Sequence, residues 1–139
     1  MTTSSVQTYL FFGGRCEEAL AFYGTAIQAK VDFVMLHQDN PQPPPPGVLQ
    51  PGFEKKVMHA TFRIGDTGFM ASDGCEEGPG FSGFRLALTV ATEAEADRAF
   101  AALAEGGQVD MPLQKTFWAP RFGMLTDRFQ IGWMVSVKA

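Results

Sequence analysis

Few side chains in this 139-residue sequence can do acid–base or metal chemistry, and its two imidazoles are His37 and His59. Because imidazole changes charge near neutral pH, His59 is a candidate pocket hydrogen-bonding group or general base. A structural histidine bonded to a neighbouring strand or loop is the alternative, and the usual burial of histidine favours it. A metal site of two histidines and one carboxylate, built from His37, His59 and Asp73, would require chance convergence.

Three arginines indicate a different chemistry, the binding of an anion. Arg63, Arg85 and Arg121 lie in segments predicted to be strands, and guanidinium groups bind carboxylate or phosphate through two parallel hydrogen bonds. If the three face one cavity, they favour a carboxylate- or phosphate-bearing ligand. The alternative is pairing with Asp73, Asp127 or surface glutamates, and Asp73 is the expected partner of Arg85 when no ligand is bound.

Aromatic side chains are the second component of a candidate binding site. Exposed aromatic rings can form a wall against which a flat ligand packs. The same rings equally suit the core or a dimer interface. The candidates are Tyr9, Phe11, Phe117, Trp118 and Phe122.

The composition is that of one globular domain, with 45% hydrophobic and 19% charged residues. A formal charge of -4 leaves no basic excess to neutralise phosphates, so we expect no nucleic-acid partner. No apolar run approaches the roughly 20 residues of a membrane-spanning helix, and the first residues lack the features of a secretory signal. We therefore expect a cytoplasmic protein, with Cys16 and Cys75 as free thiols.

Two helices are predicted from apolar periodicity. The first covers residues 16–27, where positions 16, 19, 20, 23, 26 and 27 form one apolar face. The second begins at the capping box formed by residues 92–95 and ends at Gly106. Its expected core face consists of Ala96, Ala99, Phe100 and Leu103.

Eight strands are predicted around these helices, in the order β-α-β-β-β twice. Within the third strand, His59, Thr61 and Arg63 share one face because side chains alternate along a strand. Pro112 places its strand at a sheet edge or a bulge. Six prolines crowd residues 41–51, which predicts a surface excursion that could be a lid, a plain solvent loop or a proline-rich ligand. The predicted strands are 6–12, 31–36, 56–64, 67–73, 84–90, 108–117, 121–127 and 131–138.

The two halves also resemble each other in sequence. Residues 68–72 (GFMAS) match residues 132–136 (GWMVS), and the Val-Asp pair at 31–32 matches that at 109–110. The glycine-rich segment 74–83 is predicted to be the linker between the halves. We therefore predict one domain built of two modules, residues 1–76 and 82–139.

Several motifs along nearly the whole chain carry a family resemblance: GRCEEA at 14–19, FY at 22–23, VMHA at 57–60, MASD at 70–73, TFWAPRFG at 116–123, TDRF at 126–129 and WMV at 133–135. The chain resembles the vicinal oxygen chelate superfamily, which includes glyoxalase I, extradiol dioxygenases, and bleomycin and fosfomycin resistance proteins. Within it, the chain looks most like the PhnB-like branch, often labelled 3-demethylubiquinone methyltransferase-like. Gln130 departs from the branch, which usually has glycine there in the final hairpin.

The resemblance implies an α+β fold in which paired βαβββ modules form a curved eight-stranded mixed sheet around a concave pocket. It also implies a homodimer. Metal-using members hold one divalent ion with histidines or carboxylates on the first and last strands of each module. The resemblance places these positions at Gln7, Met70, Arg85 and Met134. A register shifted by two residues offers Tyr9, Ser72, Ala87 and Ser136.

Neither set of side chains suits a hard divalent ion, because neither contains a histidine or a carboxylate. The first set offers one amide, two thioethers and a guanidinium cation that repels the metal, and the shifted set is no better. We therefore predict no metal and no cofactor, and metal-free binding of a small aromatic or anionic molecule. The alternative is a metal-dependent lyase, isomerase or dioxygenase of the same superfamily, with His59 as a ligand. Methyl transfer is disfavoured because the sequence lacks a glycine-rich nucleotide-binding fingerprint. The predicted ligand-binding residues are Gln7, Tyr9, His59, Arg63, Arg85, Trp118 and Arg121.

Overall fold

Each half of the chain folds into a mixed four-stranded sheet that carries one α-helix. The computed structural model describes residues 3–138. These divide into unit 1, which ends at Pro79, and unit 2, which begins at Gly80. In each unit the first strand pairs in parallel with the last, and the remaining pairs are antiparallel. The predicted α+β class with two βαβββ modules is therefore confirmed, and its eight strands form two sheets.

Unit 1 has the strand order β1-β4-β3-β2, which places β1 and β2 at the edges of the sheet. Two single-turn 3-10 helices, His37–Asp39 and Phe53–Lys55, lie between β2 and β3. The elements of unit 1 are β1 (Thr8–Phe11), α1 (Cys16–Ile27), β2 (Lys30–Leu36), β3 (Val57–Ile64) and β4 (Thr67–Ser72).

Unit 2 repeats this order as β5-β8-β7-β6. Pro112 lies in β6, an edge strand with register shifts on both sides of Met111, so the predicted edge or bulge position is confirmed. The elements of unit 2 are β5 (Arg85–Val90), α2 (Glu93–Ala104), β6 (Gln108–Gln114), β7 (Phe122–Thr126) and β8 (Gly132–Val137). Neither α-helix within residues 3–138 is long and apolar enough to cross a membrane.

Both helices bury the faces that their periodicity predicts. The buried residues of α1 are Cys16, Ala19, Leu20, Tyr23, Ala26 and Ile27. Those of α2 are Ala96, Ala99, Phe100 and Leu103. Thr92 is confirmed as the N-cap of α2, because its hydroxyl accepts a hydrogen bond from the Glu95 N–H at 3.1 Å. The Glu95 carboxylate accepts from the Thr92 hydroxyl at 3.3 Å, which is not the reciprocal bond to the backbone that defines a capping box.

Side chains alternate along the sheet of unit 1 as expected. Leu10, Ala60 and Phe62 are almost fully buried on the face that carries α1. The register places Leu10 beside Ala71, and Ala71 beside Ala60. The opposite face, which we call the open face of unit 1, carries Tyr9, Phe11, Phe33, His59, Thr61 and Met70.

One connection differs in detail from the prediction, and another contains Gln130, where the branch usually has glycine. The strand predicted to reach residue 117 ends at Gln114, because Thr116 and Ala119 close a tight turn through hydrogen bonds of 3.0 and 3.1 Å. Gln130 takes the left-handed conformation, with φ of 74°, and the final hairpin still closes through the Gln130 N–H and the Asp127 carbonyl at 2.9 Å. A non-glycine residue is therefore tolerated at this turn.

The proline-rich excursion is anchored at its far end. The Gln50 N–H donates to the Cys75 carbonyl at 2.8 Å, and the side chains of Gln50 and Glu77 bond to each other at 3.0 Å. Phe53, immediately beyond, is buried. Most of the preceding prolines are exposed, so the excursion lies on the surface as predicted.

Candidate functional site

A tyrosine–histidine pair is the main polar group on the open face of unit 1. The Tyr9 hydroxyl lies 2.9 Å from the Nδ1 atom of His59, and this hydrogen bond joins residues 50 positions apart in the sequence. β1 lies beside β4 and β4 beside β3, so Tyr9, Met70 and Thr61 lie in one row across the sheet. His59 precedes Thr61 by two residues on the same face, within reach of the Tyr9 ring.

Aromatic rings surround this pair. Phe11 stacks on Tyr9 with ring centroids 4.7 Å apart, and the Phe33 ring lies 6.3 Å from that of His59. These rings face solvent, because Phe11 is 56% and Phe33 is 45% exposed. Phe33 was not predicted as a site residue, because the register shift between Val31 and Phe33 interrupts the alternation along β2. We call Tyr9, Phe11, Phe33 and His59 the aromatic patch.

The environment of Tyr9 keeps its hydroxyl protonated. Partial burial raises the pKa of Tyr9 above its ordinary value of 10.0, and the neighbouring Cys16 thiol acts in the same direction. A hydrogen bond with the Ser72 hydroxyl acts in the opposite direction and is outweighed. Tyr9 is therefore a neutral phenol in the physiological pH range, able to donate one proton.

Gln7 and Arg85 occupy equivalent positions just before or at the start of the first strand of each unit. A Cβ atom added to Gly68 would lie 3.0 Å from the Gln7 amide nitrogen, so the Gln7 side chain packs directly against Gly68. A Cβ atom added to Gly132 would lie 2.9 Å from Cγ of Arg85. The two glycines belong to the repeated segments found in the sequence. Because neither has a Cβ atom, each leaves room for the side chain that packs against it.

The guanidinium of Arg85 binds to partners within its own sheet. Its guanidinium donates to the Leu125 carbonyl at 3.0 Å and pairs with the Asp110 carboxylate at 3.1 Å. Hydrogen bonds from Gln108 and Thr126 hold the pKa of Asp110 below its usual value, and Arg85 adds to this effect. The expected pairing of Arg85 with Asp73 is therefore wrong, because Asp110 on the opposite edge strand of the same sheet takes that role.

Arg63 also has an acidic partner. Its guanidinium forms two hydrogen bonds with the Asp32 carboxylate, at 2.9 and 3.1 Å, and both side chains are about half exposed. This pairing holds the pKa of Asp32 below its usual value. Asp32 and Asp110 are the aspartates of the repeated Val-Asp pair, so the repeat was a sequence signal for the partners of Arg63 and Arg85.

Trp118 and Arg121 line an open surface cavity of about 510 Å³ in unit 2. Trp118 is half exposed, and the neighbouring Phe117 is 96% exposed. The Arg121 guanidinium lies 3.4 Å from the carboxylates of Glu93 and Asp97 on α2, and its buried Nε makes no hydrogen bond within the described chain. This cavity combines aromatic rings with a cation that two carboxylates already neutralise.

The other candidate metal ligands have structural roles. Both oxygens of the buried Asp73 carboxylate accept backbone N–H groups, from Gly14, Cys16 and Val57, at 2.7–2.9 Å. His37 is buried, and its Nε2 lies 2.8 Å from the Gly74 carbonyl. No group of three or more histidine, cysteine or acidic side chains converges as a metal site within residues 3–138. His37, His59 and Asp73 do not come together.

The metal that the superfamily implies does not fit the donors present. The inferred positions carry the Gln7 amide, the Met70 and Met134 thioethers and the Arg85 cation, which has its own carboxylate and carbonyl partners. A hard divalent ion requires several oxygen ligands or imidazoles, and a guanidinium repels it.

The glycine turn before α1 is also unsuited to binding an anionic group of a nucleotide-like methyl donor. The N–H groups of Gly14 and Cys16 are the donors that such a turn would offer to an anionic group. Both N–H groups already bind the Asp73 carboxylate, at 2.7 and 2.9 Å. These two N–H groups are therefore not available to an external anion.

The two thiols differ in their environment. Cys16 is buried at the start of α1, and burial together with the carboxylates of Asp73 and Glu17 raises the pKa of this thiol far above its ordinary range. Cys75 is exposed. Both are free, and Cys16 is an inert core residue, which agrees with the apolar face predicted for α1.

Comparison with known proteins agrees with this architecture. A family model described as 3-demethylubiquinone-9 3-methyltransferase matches residues 4–136. Protein YjdN of Escherichia coli (strain K12) is 36% identical over 137 residues, with 93% of this chain and 92% of YjdN covered. The crystal structure of PA1353 from Pseudomonas aeruginosa superposes with a TM-score of 0.84 at 38% identity, covering 98% of both chains.

More distant structures extend the relationship. A putative 3-demethylubiquinone-9 3-methyltransferase, PhnB protein, from Bacillus cereus has a TM-score of 0.80 at 29% identity, covering 97% of this chain and 100% of that one. A glyoxylase/bleomycin resistance protein/dioxygenase domain from Frankia sp. EAN1pec shares the fold at 13% identity, with a TM-score of 0.65 and full coverage of both chains, 100% each. The chain therefore belongs to the PhnB-like 3-demethylubiquinone-9 3-methyltransferase family, and it shares its fold with the glyoxylase/bleomycin resistance protein/dioxygenase domain.

Proposed function

We propose that this protein binds a small, flat aromatic molecule with a polar substituent, without a metal ion, at the aromatic patch of unit 1. The observation that carries the proposal is the 2.9 Å hydrogen bond between Tyr9 and His59 among exposed aromatic rings. Aromatic side chains usually lie with their rings covered, and a cluster of exposed ones next to a polar pair is typical of ligand sites.

The polar contact of the ligand is assigned to His59. Tyr9 engages only Nδ1 of this ring, and no hydrogen-bond partner of Nε2 is found among residues 3–138. By contrast, Arg63, Arg85 and Arg121 all have carboxylate partners within their own units. An anionic ligand would have to compete with those carboxylates for the arginines. Binding through aromatic contacts is therefore better supported than binding through the arginines.

The binding test uses 2-naphthoate, titrated against isotope-labelled protein by NMR. At about 0.3 kcal/mol per non-hydrogen atom, a probe of this size should bind with a Kd of about 1 mM. We expect shifted resonances from Tyr9, Phe11, Phe33 and His59. The His59→Ala variant should weaken binding about tenfold, because it removes the hydrogen bond to the carboxylate.

Phe117→Ala is the matched control, since it removes an exposed aromatic ring from the unit 2 cavity and leaves the aromatic patch intact. Its affinity for 2-naphthoate should equal that of the unsubstituted protein. If Phe117→Ala weakens binding and His59→Ala does not, the cavity beside Trp118 is the binding site and the proposal is wrong. Stoichiometric retention of Zn²⁺, Ni²⁺, Mn²⁺ or Fe²⁺ at His59 would instead support the metal-dependent alternative.

We also propose that the protein is a cytoplasmic homodimer, as the superfamily resemblance implies. The edge strand β2 supports an interface, because its apolar side chains Val31 and Val34 are 45% and 42% exposed. Light scattering is expected to give twice the 15.1 kDa mass of one chain. A mass of one chain at micromolar concentration would contradict the dimer.

A further inference from the structure

The Tyr9–His59 hydrogen bond can be arranged in two ways. In the first, the Tyr9 hydroxyl donates to Nδ1, and the neutral imidazole carries its proton on Nε2. In the second, Nδ1–H donates to the phenol oxygen, and Nε2 is a bare acceptor. The two arrangements present opposite polar groups to a ligand, so the choice between them determines which ligands fit.

Two considerations favour the first arrangement. An imidazole nitrogen is a much stronger base than a phenol oxygen, so the hydroxyl is the natural donor. Burial keeps the Tyr9 hydroxyl protonated, and it therefore has a proton to donate.

We infer that Tyr9 is a positioning residue that holds His59 as the Nε2–H tautomer, so that the aromatic patch selects flat ligands with a carbonyl or carboxylate oxygen over ligands whose polar group only donates. The inference rests on the proposed function, because it specifies the ligand class of the same patch. The partner of one imidazole nitrogen fixes the proton on the other, and the second nitrogen then meets the ligand.

His37 supplies an internal reference for the tautomer. Its Nε2 lies 2.8 Å from the Gly74 carbonyl, which can only accept, so a neutral His37 must carry its proton on Nε2. Nitrogen NMR of the two imidazoles at about pH 8, where free imidazole is neutral, should show the same tautomer for His37 and His59. In Tyr9→Phe, His59 should change to a mixture of tautomers, while His37 should not change.

Ligand selectivity is tested with indanone and indole, which have similar bicyclic shapes and no charge. Indanone brings a carbonyl acceptor, whereas indole brings an N–H donor. We expect indanone to bind about three- to tenfold more tightly than indole, the ratio that one net hydrogen bond supplies. Tyr9→Phe should reduce this ratio toward one, and Phe117→Ala should preserve it.

The outcomes separate this inference from the proposed function. A proton on Nδ1 of His59 in the unsubstituted protein would overturn the role of Tyr9, even if 2-naphthoate binds at the patch. Equal affinities for indanone and indole would overturn the ligand class. If none of the three probes binds, the proposed function and the ligand class fail together, and the NMR result alone decides the role of Tyr9.

Discussion

Replacing Asp73 by alanine is expected to lower the free energy of unfolding by about 3–5 kcal/mol, because three N–H groups lose a charged acceptor in a buried site. The Asp73 carboxylate accepts from Gly14 and Cys16 on one oxygen and from Val57 on the other. Alanine leaves those donors unpaired and admits no equivalent partner. Urea unfolding followed by circular dichroism measures the loss.

The expected cost is large because Asp73 acts as the cap of α1. The side chain of Arg15, the N-cap residue, does not cap a backbone N–H of the helix, and its guanidinium donates instead to the Glu18 carboxylate at 2.8 and 3.2 Å. Asp73 provides the acceptor and also places a negative charge at the positive end of the helix dipole. The same carboxylate ties the start of β3 to the end of β4, so its loss loosens both the helix and the sheet.

Asp32→Ala is the matched control for Asp73→Ala. It also removes a carboxylate that accepts two hydrogen bonds, here from Arg63, but both side chains are solvent-exposed. Water replaces the lost partner in that position, so the unfolding midpoint should move little. Equal destabilisation by the two substitutions would contradict a capping role for Asp73.

Asp127→Ala is expected to lower the free energy of unfolding by about 3 kcal/mol or more, for a related reason in unit 2. One carboxylate oxygen accepts the N–H groups of Phe129 and Ile131 at 2.8 and 3.1 Å. The other accepts the indole N–H of the buried Trp133 at 2.9 Å. Asp127 thus closes the turn between β7 and β8 and anchors the largest buried side chain of the unit.

A double-mutant cycle with Asp127→Asn and Trp133→Phe isolates the indole contact. Asparagine keeps an oxygen for the two backbone donors but can place its amide N–H against the indole N–H. Asp127→Asn should therefore cost more free energy of unfolding in the unsubstituted protein than in the Trp133→Phe background. Additive effects in urea unfolding would show that Asp127 and Trp133 are not coupled.

The sequence was sufficient to predict most of the local structure. Helical and strand periods are short-range signals, so they predicted both helices, all eight strands and the alternation that places His59 and Arg63 on one face of β3. The N-cap of α2 could also be predicted from the sequence, because its acceptor, Thr92, and its donor, the Glu95 N–H, lie three residues apart. The repeated Val-Asp pair was visible too, although its role as the partner of two arginines was not.

The candidate site was only partly predictable. Tyr9 and His59 were both predicted as site residues, but nothing in the sequence indicates that they bond to each other. Phe33 and Asp110 were missed, because each lies next to a register shift that interrupts the regular alternation. A shift of one residue turns a side chain to the other face of a sheet, and it depends on the partner strand.

The sequence by itself determined the elements, their order, the core faces and the family, since these depend on residue type and spacing along the chain. Only the tertiary structure decided the partners of the polar groups. In the folded chain, the Asp73 carboxylate binds the N–H of Cys16 at the start of α1, although the two residues are 57 positions apart in the sequence. Asp110 likewise binds Arg85 across 25 positions. A buried polar group takes whichever partner the fold brings within about 3 Å, and that distance is set by strand pairing and register across the sheet.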